Sequence, residues 1–457
     1  MSDDAENALQ QGLENIQRPI SSFIRAQSTI SWFLLFTTVL ALWWANSEYS
    51  ATYQNLTETS IRLYLGDFNM QASIKHIIND GLMVIFFFLL GLEIKREVLA
   101  GDLASTENRR MLILCAFGGM VCPAAIYLLF NWSNDSAIGW GIPIATDTAF
   151  ALGVLTIVRK QIPRGLLAFL VGLAIVDDVG AILVIALFYA EKVSILFLAS
   201  AFVLVACLAL GNYAGIRQGY FYIFIGVAAW WMMLKSGVHP TLAGVAIAFT
   251  VPARPKLRSE KLVAKAKSII SSMQKMVKPV DALGSGRDHK HMLEVRDLAE
   301  HAGTPLRRWE DALELPVGLI ILPLFVLANA GIPFSLSSFV ESLQHPIGLG
   351  IISGLVLGKF IGISSACWLG LHYKIGCLPK GVNFQHVIGV SFIAGIGFTM
   401  STFIATLGFD ANPEYLQSAK SSILFASLLS AILGVLLIKY IAVKKAPKQS
   451  ILYPKAT

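Results

Sequence analysis

The stretch Leu173-Ala174-Ile175-Val176-Asp177-Asp178-Val179-Gly180 places two adjacent acids in the middle of an apolar run from Arg164 to Leu187. A helix of about 24 residues is ~36 Å long, enough to cross the ~30 Å hydrocarbon core of a bilayer. Ionisable side chains at that depth cost several kcal/mol and by default mark functional sites. Neighbours on a helix point about 100° apart, so Asp177 and Asp178 can face one cavity and contact different partners. The pair predicts a functional site near the bilayer midplane.

The composition of the whole chain indicates that lipid surrounds it. Of its 457 residues, 55% are hydrophobic and 14% are charged, and the mean hydropathy is +0.64. Because a soluble domain carries about 25% charged residues, a soluble globular protein is excluded. The net charge of +7 is typical of basic loops on the cytoplasmic side of a membrane protein, and we expect no binding of nucleic acid.

Apolar stretches of membrane-spanning length predict an all-α polytopic protein with about twelve transmembrane helices. The seventh and eighth stretches are too short to span the core comfortably, because about 14 residues cover only ~21 Å. The predicted segments are 29–46, 77–99, 111–130, 138–158, 164–187, 193–210, 220–234, 238–251, 315–330, 348–369, 386–409 and 421–440.

The distribution of lysine and arginine among the loops predicts the topology. Loops after even-numbered segments are basic and those after odd-numbered segments carry few cations, so both termini are expected in the cytoplasm. The N-terminus lacks a short apolar region with a cleavage site, and we expect no cleaved signal peptide. The predicted domains are a cytoplasmic segment 1–28, a first membrane region 29–252, a basic cytoplasmic insert 253–304, a second membrane region 305–441 and a cytoplasmic tail 442–457.

The basic insert differs from the rest of the chain because its cations alternate with scattered apolar residues. It is either a solvated, partly helical linker or a segment whose basic face lies against anionic lipid headgroups. Its cations include Lys256, Arg258, Lys261, Lys265, Lys267, Lys275, Lys278, Arg287, Lys290 and Arg296.

Motifs of several other protein classes are missing from the sequence. No GxxxxGK[ST] loop, no GxGxxG after a strand and no HExxH occurs, so neither a nucleotide-driven pump nor a zinc protease is predicted. We expect no cofactor. The five cysteines show no CxxC spacing and are typical of small core residues.

Two of the apolar segments contain residues that interrupt a helix. The fourth contains Pro143-Ile144-Ala145-Thr146-Asp147-Thr148, and the eleventh contains Ala394-Gly395-Ile396-Gly397-Phe398-Thr399-Met400-Ser401. Proline removes a backbone donor, and Thr and Asp side chains compete for backbone groups, so each segment is predicted to form two half-helices. Two interrupted segments, one in each half of the chain, are typical of inverted-repeat secondary transporters. The facing helix ends require charges of both signs, and Asp147 supplies the anion.

Lys359 supplies the cation of the predicted site. It lies near the middle of the tenth segment, in Leu355-Val356-Leu357-Gly358-Lys359-Phe360, too far from either end to reach water easily. The sequence leaves open whether it pairs with Asp177 or offsets the C-terminal ends of the half-helices. A purely structural counter-ion role is a third alternative.

Further motifs follow one another along the membrane segments. They are Asn79-Asp80-Gly81-Leu82-Met83, Gly91-Leu92-Glu93-Ile94-Lys95-Arg96-Glu97, 145–153, 173–180, Lys235-Ser236-Gly237-Val238-His239, Leu322-Pro323-Leu324-Phe325, Ala328-Asn329-Ala330-Gly331 and 395–401. In this order they resemble the NhaA-type bacterial sodium/proton antiporters over nearly the whole membrane region. The resemblance implies that Asp178 is the principal sodium ligand and that Asp177 pairs with Lys359. It also implies that Thr146 and Asp147 line the crossing of the two broken helices.

Competition for the same oxygens would couple the two ions. Sodium is a hard cation that prefers oxygen ligands, and protons bind the same carboxylate oxygens. Sodium that binds Asp177 and Asp178 from inside displaces protons, and protons that return from outside displace sodium. The predicted function is therefore extrusion of Na+ in exchange for H+ by a secondary active transporter, not an enzyme. The resemblance further implies Li+ as a substrate, electrogenic exchange, activation at alkaline pH and a place in the bacterial inner membrane.

The resemblance also points to a pH sensor at the cytoplasmic ends of the second and ninth segments. These ends carry Glu93, Arg96, Glu97 and Glu310. Such charges are equally typical of solvated helix ends. His239 either titrates in the relevant range or is a buried, hydrogen-bonded histidine.

The stretch 48–72 between the first two segments contains interspersed Thr, Tyr and Leu residues and predicts a small exposed hairpin. In relatives such a hairpin holds a dimer together, so we expect a homodimer in the lipid bilayer. The sequence departs from the family at Asp311 and Glu314, where relatives often have histidines, and in the length of the insert. Both departures concern the pH set-point and not the transport core.

Three other classes of membrane protein fit the sequence less well. An intramembrane aspartyl protease needs its acids on two different helices around a shared water, whereas Asp177 and Asp178 are adjacent and accompanied by Lys359. A proton-driven drug transporter needs a larger substrate pocket, with aromatic or basic groups around the broken helices. A channel would show a repeated filter motif.

Overall fold

The structure is a computed structural model that describes residues 29–65, 68–101, 106–159, 162–190, 193–254, 303–332, 340–342 and 344–445. The predicted N-terminal segment 1–28, nearly all of the basic insert 253–304 and the tail beyond residue 445 lie outside these residues. The described part is helical apart from one hairpin and the connecting turns. The predicted all-α class is therefore confirmed.

Seven of the described helices are long and apolar enough to cross a bilayer: α3, α4, α7, α8, α11, α12 and α15 in the order below. The helices in chain order are α1 (Thr29–Ala45), α2 (Ser50–Glu58), α3 (Ile74–Ala100), α4 (Thr106–Asn131), α5 (Asp135–Ile144), α6 (Thr148–Ile157), α7 (Arg164–Phe188), α8 (Ile195–Tyr213), α9 (Gly219–Ser236), α10 (Thr241–Thr250), α11 (Pro305–Asn329), α12 (Pro346–His372), α13 (Phe384–Ile393), α14 (Phe398–Gly408) and α15 (Pro413–Lys445).

Three pairs of described helices are bent at short breaks. The angles are 111° between α1 and α2, 46° between α5 and α6, and 50° between α13 and α14. The last two pairs are the predicted broken segments, so both interruptions are confirmed. With each bent pair counted as one span the described part has up to 10 spans, and α9 and α10 occupy the seventh and eighth predicted segments.

The break in the fourth segment follows from its residues. The 3-10 helix α5 ends directly after Pro143, and Ala145 has the extended ψ of 144°. Asp147 is also extended and accepts a hydrogen bond from the Phe150 amide, which makes it the N-cap of α6. A side chain that caps the first turn of α6 stabilises the start of a new helix here, in preference to one continuous helix through the segment.

The predicted hairpin is present as an antiparallel ribbon of β1 (Ser60–Leu65) and β2 (Phe68–Ser73). The sequence did not predict α2, which comes before it. Tyr53 on α2 donates from Oη to the Leu327 carbonyl at 2.5 Å and accepts from the Gly331 amide at 3.1 Å. These bonds satisfy backbone groups at the C-terminal end of α11 and attach α2 to it.

The described helices belong to two compact units. The first comprises the described parts of Met1–Met83, Glu97–Lys192 and Val317–Thr457, and the second those of Val84–Arg96 and Val193–Pro316. The acid pair, Lys359 and both broken helices lie in the first unit.

In the first unit, α4 and α12 pack with their backbones in contact. A methyl group on Gly118 would overlap the Gly362 carbonyl, and one on Gly358 would lie 2.6 Å from Pro123 Cα. Only glycine permits this approach. Gly358 also ends a π-helical turn of α12, and the next residue is Lys359. The tight packing therefore fixes the backbone that carries the buried lysine.

In the second unit, α10 packs closely on the part of α3 that belongs to this unit. A methyl group on Gly91 would lie 2.7 Å from Ala248 Cβ. Lys95 donates from Nζ to the carbonyls of Phe249 at 2.7 Å and Val251 at 2.6 Å. The lysine thereby satisfies carbonyl groups at the C-terminus of α10 that have no partner inside the helix.

Candidate ion-binding site

The two predicted acids lie in the middle of α7 and are buried. Asp177 is 0% exposed and Asp178 is 2% exposed. Oδ1 of Asp177 accepts no hydrogen bond from the described residues, and Oδ2 of Asp178 lies 3.4 Å from Thr148 Oγ1. A buried carboxylate oxygen without a donor is costly unless it meets a cation or a proton. Oδ1 of Asp177 is therefore a candidate oxygen for both.

Lys359 is also fully buried, and its Nζ lies 2.5 Å from Oδ2 of Asp177. Of the alternatives that the sequence leaves open, this geometry favours the pairing with Asp177. Two opposite charges in a low-dielectric interior stabilise each other, and removing one leaves the other uncompensated. The pair joins α7 to α12 at the depth of the acids.

Thr146 connects the acid pair to the second broken helix. Its Oγ1 lies 2.8 Å from Oδ2 of Asp177 and 2.9 Å from the carbonyl oxygen of Ala394. Ala394 is the C-cap of α13. A single hydroxyl group thus lies between the acid and the end of a half-helix.

Asp147 lies between the N-termini of two half-helices. Its Oδ1 accepts from the Phe150 amide at 3.1 Å, and its Oδ2 accepts from the Thr399 amide at 2.8 Å and the Thr399 hydroxyl at 2.5 Å. The amide of Asp147 donates to the Ile396 carbonyl at 2.6 Å. The positive ends of α6 and α14 both face this carboxylate, so the two breaks are joined at one residue.

Thr148 and Thr399 contact the acids of this site, although the sequence assigned neither of them a role. Thr399 makes the longer-range contact. Thr399 belongs to the polar run of the eleventh segment and is the second residue of α14. A hydroxyl beside a helix break indicates a cap or a polar partner, but a partner 252 residues away in sequence follows only from the packing of the two breaks.

Two of the residues predicted for pH sensing are in contact in the second unit. Arg96 donates from Nε to Oε1 of Glu310 at 2.7 Å. Both side chains are largely buried, with 29% and 12% of their surface exposed. This ion pair links α3 to the first turns of α11.

The other predicted pH-sensing residues are placed separately. His239 contacts Thr241 through Nδ1 at 2.7 Å, at the N-terminal end of α10, whereas Lys95 binds the opposite end of that helix. Glu93 is half-buried on α3. Glu97 is buried and belongs to the first unit. Within this set, the structure shows a direct contact between Arg96 and Glu310.

Across the described ranges, no group of three or more His, Cys, Asp or Glu side chains could hold a metal ion. The oxygens at the acid pair come instead from two carboxylates, the hydroxyls of Thr146 and Thr148, and the backbone. Oxygen donors of this kind suit a small hard cation.

The fold and this site define a multi-pass, all-α membrane protein with a buried acid pair and lysine beside two joined helix breaks. Residues 21–438 match the family of Na+/H+ antiporter 1. The chain belongs to this family.

Several known proteins are similar in sequence to this chain over almost its full length. The Na(+)/H(+) antiporter NhaA 2 of Psychromonas ingrahamii is 68% identical over 451 residues, which are 98% of this chain and 95% of the relative. The Na(+)/H(+) antiporter NhaA 1 of Shewanella denitrificans is 66% identical over 444 residues, 97% of this chain and 99% of the relative. The NhaA antiporter of Oleidesulfovibrio alaskensis is 42% identical over 448 residues, 98% and 99% of the two chains.

Proposed function

We propose that this protein exchanges Na+ for H+ across a bacterial inner membrane as a secondary active transporter. The observation that carries the proposal is the buried pair of Asp177 and Lys359, 2.5 Å apart, beside the buried Asp178. The relatives are named as Na+/H+ antiporters, which supports these two ions as substrates.

The acid pair would bind either sodium or protons. A carboxylate removed from water needs a positive partner, and two adjacent carboxylates need it more because like charges hinder each other's ionisation. Sodium bound to Asp178 and to Oδ1 of Asp177 meets that need, as does a proton. Occupancy by one ion excludes the other, so the gradient of one drives the transport of the other.

Lys359 would stabilise the ionised form of Asp177 when the site holds neither sodium nor a proton. Its ammonium group occupies Oδ2 of Asp177 and leaves Oδ1 without a donor. Sodium arriving at that carboxylate brings a second positive charge beside the ammonium, and the repulsion between the two favours opening of the ion pair. The lysine therefore competes with the substrate cation for the same acid.

Thr146 and Asp147 would support the site from the joined helix breaks. The carboxylate of Asp147 accepts hydrogen bonds from backbone amides of both α6 and α14. A movement of one half-helix would therefore displace the other. An ion site at the bilayer midplane must open first to one side of the membrane and then to the other. This alternation requires the discontinuous helices around the site to rearrange. The bonds of Asp147 keep the two breaks together in that step.

The finer features of the exchange belong to the same proposal. Li+ is a hard cation like Na+ and suits the same oxygens. The two adjacent buried carboxylates of Asp177 and Asp178 offer more than one oxygen site for protons, which supports more than one proton per sodium and hence electrogenic exchange. Activation at alkaline pH would act through the ion pair of Arg96 and Glu310.

The proposed setting is that of a multi-pass membrane protein with both termini in the cytoplasm. The insert 253–304 would lie on the cytoplasmic side, as its positive charge indicates. The antiparallel ribbon of β1 and β2 would hold two copies together in the bilayer.

The test of this function is dequenching of a pH-sensitive dye in everted membrane vesicles. Na+ and Li+ should cause dequenching and K+ should not. Asp177→Asn and Asp178→Asn should each reduce the response at least about tenfold, because an amide provides no charge for either ion. Asp135→Asn serves as the control, since Asp135 is an exposed acid at the start of α5 and its variant should keep the wild-type response.

Two outcomes contradict the proposed function. One is dequenching by the wild-type protein without sodium or lithium. The other is a wild-type sodium response in both Asp177→Asn and Asp178→Asn. Lys359→Ala with full exchange and an unchanged pH profile would reduce the lysine to a structural counter-ion.

A further inference from the structure

Thr146 has one hydroxyl proton and two acceptors within hydrogen-bonding distance. Oδ2 of Asp177 is 2.8 Å from its Oγ1 and the carbonyl of Ala394 is 2.9 Å away. A hydroxyl group donates a single hydrogen bond, so it serves one of the two acceptors at a time. All three residues are buried, with at most 1% of their surface exposed, so bulk water does not reach the other acceptor.

The charge on Asp177 decides between the two acceptors. When Asp177 is ionised, its Oδ2 carries negative charge, and hydrogen bonds to a charged acceptor are roughly twice as strong as neutral ones. The hydroxyl then donates to Asp177. The Ala394 carbonyl loses this donor.

Protonation of Asp177 reverses the preference. Oδ2 already faces the ammonium of Lys359 and the hydroxyl of Thr146, whereas Oδ1 accepts no hydrogen bond from the described residues. An incoming proton therefore binds Oδ1, and Oδ2 becomes a neutral carbonyl oxygen. The hydroxyl then turns to Ala394, whose carbonyl lies at the negative end of α13.

We propose that Thr146 is a positioning residue whose hydroxyl transmits the protonation state of Asp177 to the C-terminal end of α13. A buried carbonyl that gains or loses its donor changes the stability of its surroundings. The backbone at the break between α13 and α14 is therefore most stable in one arrangement when the site carries a proton and in another when it carries sodium. This inference rests on the proposed function, since it assigns a residue to the coupling of the two ions.

The experiment measures binding of radioactive sodium to the purified full-length protein as a function of pH. Thr146→Val keeps the shape of the side chain and removes the hydroxyl donor. Thr146→Ala removes both the hydroxyl and the methyl group. Both should move the pH of half-maximal sodium binding upward by about one unit, because ionised Asp177 loses a donor. Thr146→Ser retains the donor and should stay within about 0.3 units of the wild-type protein.

Thr406→Val is the matched control. Thr406 is a buried threonine of α14 whose hydroxyl donates to the Phe403 carbonyl at 2.7 Å within its own helix. Its variant should leave the pH dependence of binding unchanged. In vesicles, Thr146→Val should also exchange ions at least about threefold more slowly than Thr146→Ser at a pH where both are saturated with sodium, because the transmitted signal is lost.

Several results would overturn the inference. Wild-type pH dependence in either donor-free variant that folds overturns it, as does an equal shift in Thr406→Val or in Thr146→Ser. Sodium binding by the wild-type protein that does not depend on pH, or that survives neutralisation of both acids, contradicts the proposed function itself. The two kinds of failure are therefore distinguishable.

Discussion

At the scale of single residues, the fully buried ion pair of Lys359 and Asp177 connects α12 to α7. Asp177, Asp178 and Lys359 were predicted from their depth in apolar segments, and the structure places all three in the buried interior. The choice of partner was not predictable from the residues alone. Lys359 reaches Asp177 because α7 and α12 both pack against α4. Its sequence context is equally compatible with a cation that offsets helix ends or serves as a structural counter-ion.

The ion pair of Arg96 and Glu310 gives a prediction at this scale. The positive charge of Arg96 favours the ionised carboxylate 2.7 Å away. Arg96→Gln should therefore move the half-maximal pH of sodium-driven dequenching upward, by up to about one unit, with the maximal rate kept within about twofold. The measurement is the pH profile of exchange in everted vesicles.

Two further variants decide whether the pair acts as a unit. The double exchange Arg96→Glu with Glu310→Arg should bring the profile back toward that of the wild-type protein. Arg307→Gln, a nearby exposed arginine of α11, should have no effect. A pH profile that is the same in Arg96→Gln and in the wild-type protein would leave the pair as a structural contact only.

At the scale of elements, interruptions of helices position the site. Proline and the capping Asp147 end α5 and restart the chain as α6, and the π-helical turn of α12 ends directly before Lys359. The broken segments were predictable because their residues disfavour a continuous helix. The π-helical turn was not predictable, because no residue pattern in the tenth segment indicates one. Such turns often occur at functional sites.

The packing of α4 against α12 gives the prediction for this scale. Gly118→Ala would push a methyl group into the carbonyl of Gly362, and two backbones held in contact have no flexible atom that can move away. We expect a lower melting temperature of the purified protein, corresponding to about 1–3 kcal/mol, and a weaker sodium response because Lys359 is displaced.

Gly226→Ala on α9 is the matched control, because an added methyl group there would lie at an ordinary distance of 3.4 Å from Ile247 Cδ1. Thermal denaturation followed by size-exclusion chromatography with fluorescence detection compares the two variants. Equal melting temperatures in Gly118→Ala and the wild-type protein would contradict the close packing described here.

At the scale of the whole molecule, the low charge content of the sequence already implies a polytopic membrane protein. The ribbon of β1 and β2 is an exception to this all-α pattern. Two isolated strands leave unpaired backbone groups along both outer edges and are only marginally stable alone. An edge of this kind can pair with a second copy of the chain.

Replacing residues 60–73 with a short Gly/Ser linker should therefore convert the proposed dimer into a monomer. Because the acid pair and both helix breaks lie elsewhere in the chain, the shortened protein should retain sodium-driven dequenching. Size-exclusion chromatography coupled to light scattering in mild detergent gives the mass of the protein component. A shortened protein that remains dimeric would show that other contacts hold the two copies together.

Local patterns of residues were enough to predict the membrane class of the protein, its apolar segments, the two interruptions and the buried charged residues. These features are local: hydrophobic length, backbone donors removed by proline, and the cost of charge in lipid act within a few residues of one another. The partners of the buried polar groups, in contrast, are set by how the helices pack together. The bonds of Asp147 to Thr399, of Thr146 to Ala394 and of Lys359 to Asp177 each join residues more than 180 positions apart. Such contacts depend on the packing of several helices, and no short stretch of sequence specifies that packing.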